Sequence, residues 1–214
     1  MVDRNLPGWH IFPGYHRLGV YLKQAVLLDI LFVVVYGGIN WLTTQRSKLF
    51  DLYSGWELVI PFVPAMIYVY FSIIILFILP LFCLNELQMK ILAKRIALAI
   101  LLSGLVFLLL PARLGFSRPQ QVIGYETIYS IMYAVDPPHN LFPSLHIAYS
   151  ALIIDSLLAH SPLWLRWFWS IWLALIGISV VLVHQHHIAD VAGGLLITWI
   201  SRKIVKDNTQ SEAI

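Results

Sequence analysis

Apolar residues follow one another along this chain in long stretches broken by short polar joints. A helix that crosses a bilayer needs about 20 mainly apolar residues, within a range of roughly 17–25. Six stretches meet or approach that length: Tyr21–Trp41, Leu58–Leu84, Ile91–Leu110, Leu145–His160, Leu163–Val183 and Ile188–Ile204. The fourth and sixth are short, which places their polar first turns at the membrane interface. The second contains Pro61, Pro64 and Pro80, so neighbours must satisfy the carbonyls these residues free, or the helix bends there. Only the connection from Pro111 to Asn140 is long; it is too polar to cross a bilayer and too long for a plain turn, which marks it as a functional candidate. The pattern predicts an all-α fold: a polytopic membrane bundle of six transmembrane helices in a single domain over residues 1–206, followed by a polar tail over 207–214. The first stretch is longer than the apolar region of a signal peptide and lacks a small-x-small cleavage site, so it is expected to stay as a span.

Composition agrees with that pattern. Of 214 residues, 59% are hydrophobic and 12% charged, against about 25% charged in a soluble domain. Such a chain cannot clothe a water-facing surface in charge, so most of its surface must face lipid. The net charge of +3 is too small to indicate a nucleic-acid partner. The single cysteine, Cys83, excludes an internal disulfide framework.

Charge changes the picture through its placement. With six spans, both termini share one side with Arg4, Arg17, Lys23, Lys90, Lys94, Arg95, Arg166, Arg202, Lys203 and Lys206. The other side has only Arg46, Lys48, Arg113 and Arg118. Positive residues favour the cytoplasmic side, so the termini are expected inside and the long loop outside an inner membrane, facing the periplasm or its equivalent.

Three polar segments meet the membrane on that outer side: Arg113 to Pro119, Phe142 to His146, and His184 to Asp190. His186 and Asp190 are four apart, on one helical face. A carboxylate beside an imidazole fixes its tautomer and leaves the other nitrogen free to attack, so His186 can serve as a covalent nucleophile. His146, in the first turn of another helix, can protonate a leaving alkoxide. The Ser144 and Leu145 amides and the Ser144 hydroxyl lie at a helix N-terminus, a natural cradle for phosphate oxygens. Arg118 adds a planar, permanently charged fork that matches those oxygens. These are the parts of a phosphoryl-transfer site.

Each part has an ordinary alternative: a solvated Arg-Pro turn, a helix start at Pro-Ser, an interfacial histidine, a local cap at Asp190. Their convergence at one membrane face favours the functional reading. His184 and His187, three apart, could join Asp190 as metal ligands, but the sequence offers no second well-placed carboxylate or cysteine, and no metal is expected. Gly193-Gly194 lies beyond the first helical turn and reads as a close helix-packing surface.

The three segments resemble the signature of the type 2 phosphatidic acid phosphatase (PAP2) superfamily: Lys-x6-Arg-Pro, Pro-Ser-x-His and Ser-Arg-x5-His-x3-Asp. Arg118-Pro119 matches the end of the first, Pro143-Ser144-Leu145-His146 the whole of the second, and Ser179, His186 and Asp190 most of the third. The resemblance implies His186 as nucleophile, Asp190 as its partner, His146 as general acid, and Arg118 and Ser144 as phosphate ligands. It further implies no metal or cofactor, and a lipid phosphate or diphosphate substrate met in the bilayer. Pro111 and Val180 stand where the family has a lysine and an arginine. Arg113 and His184 are the candidates to replace these phosphate-binding cations. A clamp short of two cations suits a singly charged phosphodiester better than a monoester dianion.

The weaker clamp brings in a second branch of the same superfamily, the sphingomyelin and inositol phosphorylceramide synthases, which move a phospho-headgroup between lipids. Ile60-Pro61-Phe62-Val63-Pro64 and Phe142 look similar to that branch. A lipid phosphatase is therefore the leading expectation, with a phosphodiester headgroup transferase as the alternative and a non-catalytic lipid-binding relative as the third.

Overall fold

The computed structural model describes residues 13–207 except 137 and 160. Arg4, His160 and the tail beyond Asp207, all used in the reading above, lie outside the described residues. Seven helices carry the fold: α1 Tyr15–Thr44, α2 Pro64–Cys83, α3 Glu86–Leu109, α4 Glu126–Val135, α5 Leu145–Leu158, α6 Leu163–Leu182 and α7 Ile188–Ile204. Among the described residues, four of these (α1, α2, α3 and α6) are long and apolar enough to cross a membrane. The expected fourth and sixth spans form helices of 14 and 17 residues.

The shortness of α5 follows from its place. It packs against α2, α3, α6 and α7 together, and a helix enclosed by others is apolar on every face. At 14 residues it is about 21 Å long, less than the roughly 30 Å hydrocarbon thickness. Its start is enclosed by its neighbours, and Ser144 and Leu145 are buried.

The second span differs from expectation at its start. Residues 60–63 are extended and the helix begins at Pro64, because the residue before each proline is driven out of the α region. A 3-10 turn over Gly55–Val59 precedes it, capped reciprocally by Ser54 and Glu57. Further along, Pro80 interrupts the α2 ladder, and α1 supplies donors there: the Tyr21 hydroxyl to the Phe77 carbonyl at 3.0 Å, and Arg17 to the carbonyls of Leu81 and Leu84.

α1 runs for 30 residues but carries a π turn over Val33–Gly37. Tyr36 lies in this turn, and its carbonyl accepts from Asn140 Nδ2 at 3.0 Å. The long connection between α3 and α5 is partly helical. α4 buries Tyr129 and Met132, and Phe50 pairs with Ala112 in an isolated parallel bridge. At the end of the bundle opposite α4, Asp155 pairs with Arg202 at 2.8 Å and Arg95 at 3.7 Å.

Candidate active site

The site forms where the N-termini of α5 and α7 meet. At each, a side chain near the helix start accepts from a backbone amide that has no partner within the helix. Ser144 Oγ accepts from the Ile147 amide at 3.3 Å. Asp190 Oδ2 accepts from the His187 amide at 2.8 Å. The two starts are also joined directly, the Ser144 amide donating to the Asp190 carbonyl at 3.0 Å.

This approach requires the glycine pair in α7. A Cβ on Gly194 would fall 2.6 Å from the Ser144 carbonyl oxygen, and one on Gly193 would fall 2.7 Å from the Phe142 ring. The packing role read from Gly193-Gly194 in the sequence is the one these distances describe.

Within this junction His186 and Asp190 are both buried, at 6% and 1% exposure. His186 Nδ1 lies 3.2 Å from Asp190 Oδ2. A carboxylate accepts, so Nδ1 carries the proton and Nε2 keeps its lone pair. His146 stacks on the Tyr70 ring at 4.2 Å, and its buried Nε2 has no hydrogen-bond partner. Both histidines line one cavity of about 520 Å³.

Arg118 is anchored rather than free. One terminal nitrogen donates to the Gln185 side-chain oxygen at 2.7 Å and to the Asp136 carbonyl at 2.8 Å, and the guanidinium lies over the Tyr133 ring at 4.9 Å. Its buried Nε has no partner. Gln185 adjoins His186 in sequence, so the same turn holds both the ring and the cation.

The structure gives the two substitute cations other partners. Arg113 forms a two-pronged ion pair with Asp51, at 2.5 and 2.7 Å, exposed on the surface. Asp51 neutralises the charge the phosphate clamp was expected to use. His184 donates from Nε2 to the Ile60 carbonyl at 3.0 Å and stacks flat on Phe116 at 4.0 Å. Burial pulls its pKa below the ordinary value, partly offset by that carbonyl, so the ring is held neutral. The Ser144 amide, expected to face phosphate, is taken by the Asp190 carbonyl. Ser144 still offers its hydroxyl hydrogen.

His184, His187 and Asp190 do not converge as metal ligands. His187 accepts at Nε2 from the Gly115 amide at 3.0 Å, and its Nδ1 lies 3.3 Å from Glu57 Oε2. The ring is held between Tyr53 and Phe116, each 4.4 Å away. Among the described residues no group of three or more histidine, cysteine or acidic side chains is placed to hold a metal.

Sequence reasoning missed two carboxylates. Glu57 is 3% exposed, and its Oε2 accepts from the Ile188 amide at 2.9 Å, in the first turn of α7. Burial alone would raise its pKa; the Ser54 and Ile188 amides and the nearby His187 outweigh that and hold it below the ordinary value. The Ser54-x-x-Glu57 pattern was the available signal, since it is a capping box. Asp136 follows α4, and its two oxygens accept from the Tyr36 hydroxyl at 2.9 Å and the Tyr70 hydroxyl at 2.7 Å. Asp136, Tyr36 and Tyr70 all line the cavity with the two histidines. A single acid in a loop carries no sequence signal of this.

Comparison with curated proteins finds no match. A family model, that of the PAP2 superfamily, matches residues 92–210 and so takes in Arg118, Ser144, His146, His186 and Asp190. A match over more than half of the chain, on a bundle of apolar helices, establishes that this membrane protein belongs to the PAP2 superfamily.

Proposed function

We propose that the protein is a lipid phosphatase of the PAP2 type, acting through a phosphohistidine. One observation carries this reading. His186, backed by Asp190, shares a cavity with a histidine whose Nε2 is bare, and that cavity continues among apolar side chains of α1, α2 and α3. The arrangement offers a reacting centre at one end and room for hydrocarbon below it.

In the proposed reaction His186 Nε2 attacks phosphorus while Nδ1–H stays on Asp190, which stabilises the imidazolium character that develops. The bond to the lipid oxygen breaks, and His146 gives that oxygen its proton. His146, now neutral, takes a proton from water. The resulting hydroxide attacks phosphorus, the P–N bond breaks, and inorganic phosphate is released with His186 restored. The Arg118 Nε–H, the Leu145 amide and the Ser144 hydroxyl are the donors for the phosphate oxygens. None of these steps calls on a metal or another cofactor.

Asp136 favours a second reading, transfer of a phosphodiester headgroup to a lipid hydroxyl. Its carboxylate lines the same cavity, and Arg113 is neutralised by Asp51. A fixed negative charge with few cations opposes a phosphate dianion more than a monoanionic diester. The site end is proposed to face away from the cytoplasm. The cluster of Arg95, Arg202 and Asp155 at the opposite end supports this, together with the surplus of positive residues there.

The test is to incubate purified protein with phosphatidic acid and a mixed phospholipid extract, beside His186→Ala. Free phosphate that depends on His186 supports the phosphatase. New headgroup-bearing lipids without free phosphate would replace it with the transferase. Product formation equal in the wild type and His186→Ala would remove His186 from both mechanisms.

A further inference from the structure

The cavity does not end at the histidines. From Tyr36, which bonds Asp136, it continues along α1 past Phe32 to Asp29. Seven residues of helix separate Tyr36 from Asp29, a drop of about 10 Å. Asp29 falls in the middle of an apolar span of 30 residues. An ionisable side chain there is costly unless it has a partner or a task. Asp29 is exposed, and among the described residues its side chain has no hydrogen-bond or ion-pair partner.

A second group points to the same place. Tyr149, on α5, is 92% buried and lines the cavity, its ring between those of Phe32 at 6.4 Å and Phe77 at 5.9 Å. Its buried hydroxyl has no hydrogen-bond partner. Asp29 is near enough to interact electrostatically with it. An acceptor and an unsatisfied hydroxyl therefore line one apolar cavity, Tyr149 one helical turn from His146 and Asp29 about two turns along α1 from Tyr36. Leaving a buried hydroxyl unpaired is unfavourable, and a ligand group able to accept from it and donate to the carboxylate would relieve both.

We propose that Asp29 and Tyr149 form a second polar subsite, which takes a hydroxyl carried on the hydrocarbon part of the lipid whose phosphate sits at His186. This rests on the lipid-phosphate reading above, because continuity of the cavity makes the two groups parts of one ligand. A hydroxyl fits the pair since it both donates and accepts. Its place on the ligand is set by the fold, at the depth of Asp29, about 10 Å along α1 from Tyr36. The hydrogen-bonding pair selects among lipids by chain chemistry, where the phosphate site alone selects by headgroup.

The experiment uses the full chain in nanodiscs and synthetic alkyl phosphates of one length, with a hydroxyl moved stepwise along the chain and an unsubstituted member for reference. Affinity is measured on His186→Ala, and turnover on protein with His186 intact. The expected result is a single optimum at one chain position, about 2- to 10-fold tighter than the unsubstituted member. Asp29→Leu and Tyr149→Phe, each placed in the His186→Ala background, should bring that ratio close to one, and Asp29→Asn should keep part of it. The ratio is internal to each variant, so loss of folded protein cannot imitate the result. A flat affinity series, or an optimum that survives both variants, overturns the subsite. Failure of the phosphatase reading looks different: no member is turned over, while the optimum in binding persists.

Discussion

Gly194→Ala tests whether the junction of α5 and α7 is as tight as its function demands. The added Cβ would meet the Ser144 carbonyl oxygen at 2.6 Å and the Ile147 Cβ at 2.9 Å. Ordinary van der Waals contact begins at 3.4 Å, so the helices must part by about 0.8 Å to admit it. The neighbour is backbone, which has no rotamer to change. Overpacking of this kind costs about 1–3 kcal/mol. The same movement pulls the Ser144 amide from the Asp190 carbonyl and separates the proposed nucleophile from the proposed phosphate donors. A displacement near 1 Å at a reacting centre can cost about 100-fold in rate. Gly177→Ala is the control, since its Cβ would meet only Val191 Cγ1 at 3.7 Å. Turnover of a lipid phosphate and thermal stability in detergent should be measured for both. The expected result is a loss of roughly 100-fold for Gly194→Ala, with a lowered Tm, and a small effect for Gly177→Ala. Wild-type turnover and Tm in Gly194→Ala would refute the claim that this contact positions the site.

Other expectations concern single side chains. His146→Ala should lower kcat by about 100- to 10,000-fold, as loss of a general acid does, while Asp190→Asn should cost less than His186→Ala because it orients rather than attacks; steady-state kinetics with membrane insertion checked by fractionation measures both. Arg118→Ala should raise KM and lower kcat, whereas Arg113→Ala, which breaks an exposed pair with Asp51, should leave turnover within about threefold. Stability should fall on the acid side in two stages, followed by Tm against pH. Burial holds the His187 pKa below 6.5, with Asp190 and Glu57 opposing, so the unfolded chain binds more protons as pH drops past 6.5 and stability declines. Glu57, held below its ordinary 4.5, adds a second decline as pH falls from there through its folded value. His187→Gln should lessen the first stage, to which the lowered His184 pKa also contributes, and Glu57→Gln should flatten the second; unchanged curves would show that neither group's folded pKa is lowered.

The parts of the fold that could be read from sequence were those with a local cause. Apolar run length located the helices. The spacing of His186 and Asp190 brings the two side chains together, although His186 lies in the turn before α7 and not on its face. Ser144 and His146 were legible because a helix start has a recognisable composition. Proline misled by a few residues: Pro61 and Pro64 read as kinks inside a span, but they hold its approach extended and delay the helix to Pro64. What remained hidden depends on contacts between distant segments. Asp51 lies far from Arg113 in the chain, and nothing local announces that it will take the charge the clamp was expected to borrow. Asp136 reaches Tyr36 and Tyr70 only because a π turn in α1 and the end of α4 arrive at one point. Glu57 stands far from α7 in the chain, yet its carboxylate accepts from an amide in the first turn of α7 and faces His187.

The bond from the Ser144 amide to the Asp190 carbonyl also bears on how the protein is made. α5 leaves the ribosome well ahead of α7, carrying the proposed proton donor and phosphate cradle. During that interval the Ser144 amide lacks the Asp190 carbonyl, and the proposed nucleophile does not yet stand opposite it. Docking of α7 supplies both at once, along with the carboxylate that orients His186. A chain stalled or cut between these helices would lack the proposed nucleophile and so be inert, and the proposed activity would report completed biogenesis rather than partial insertion.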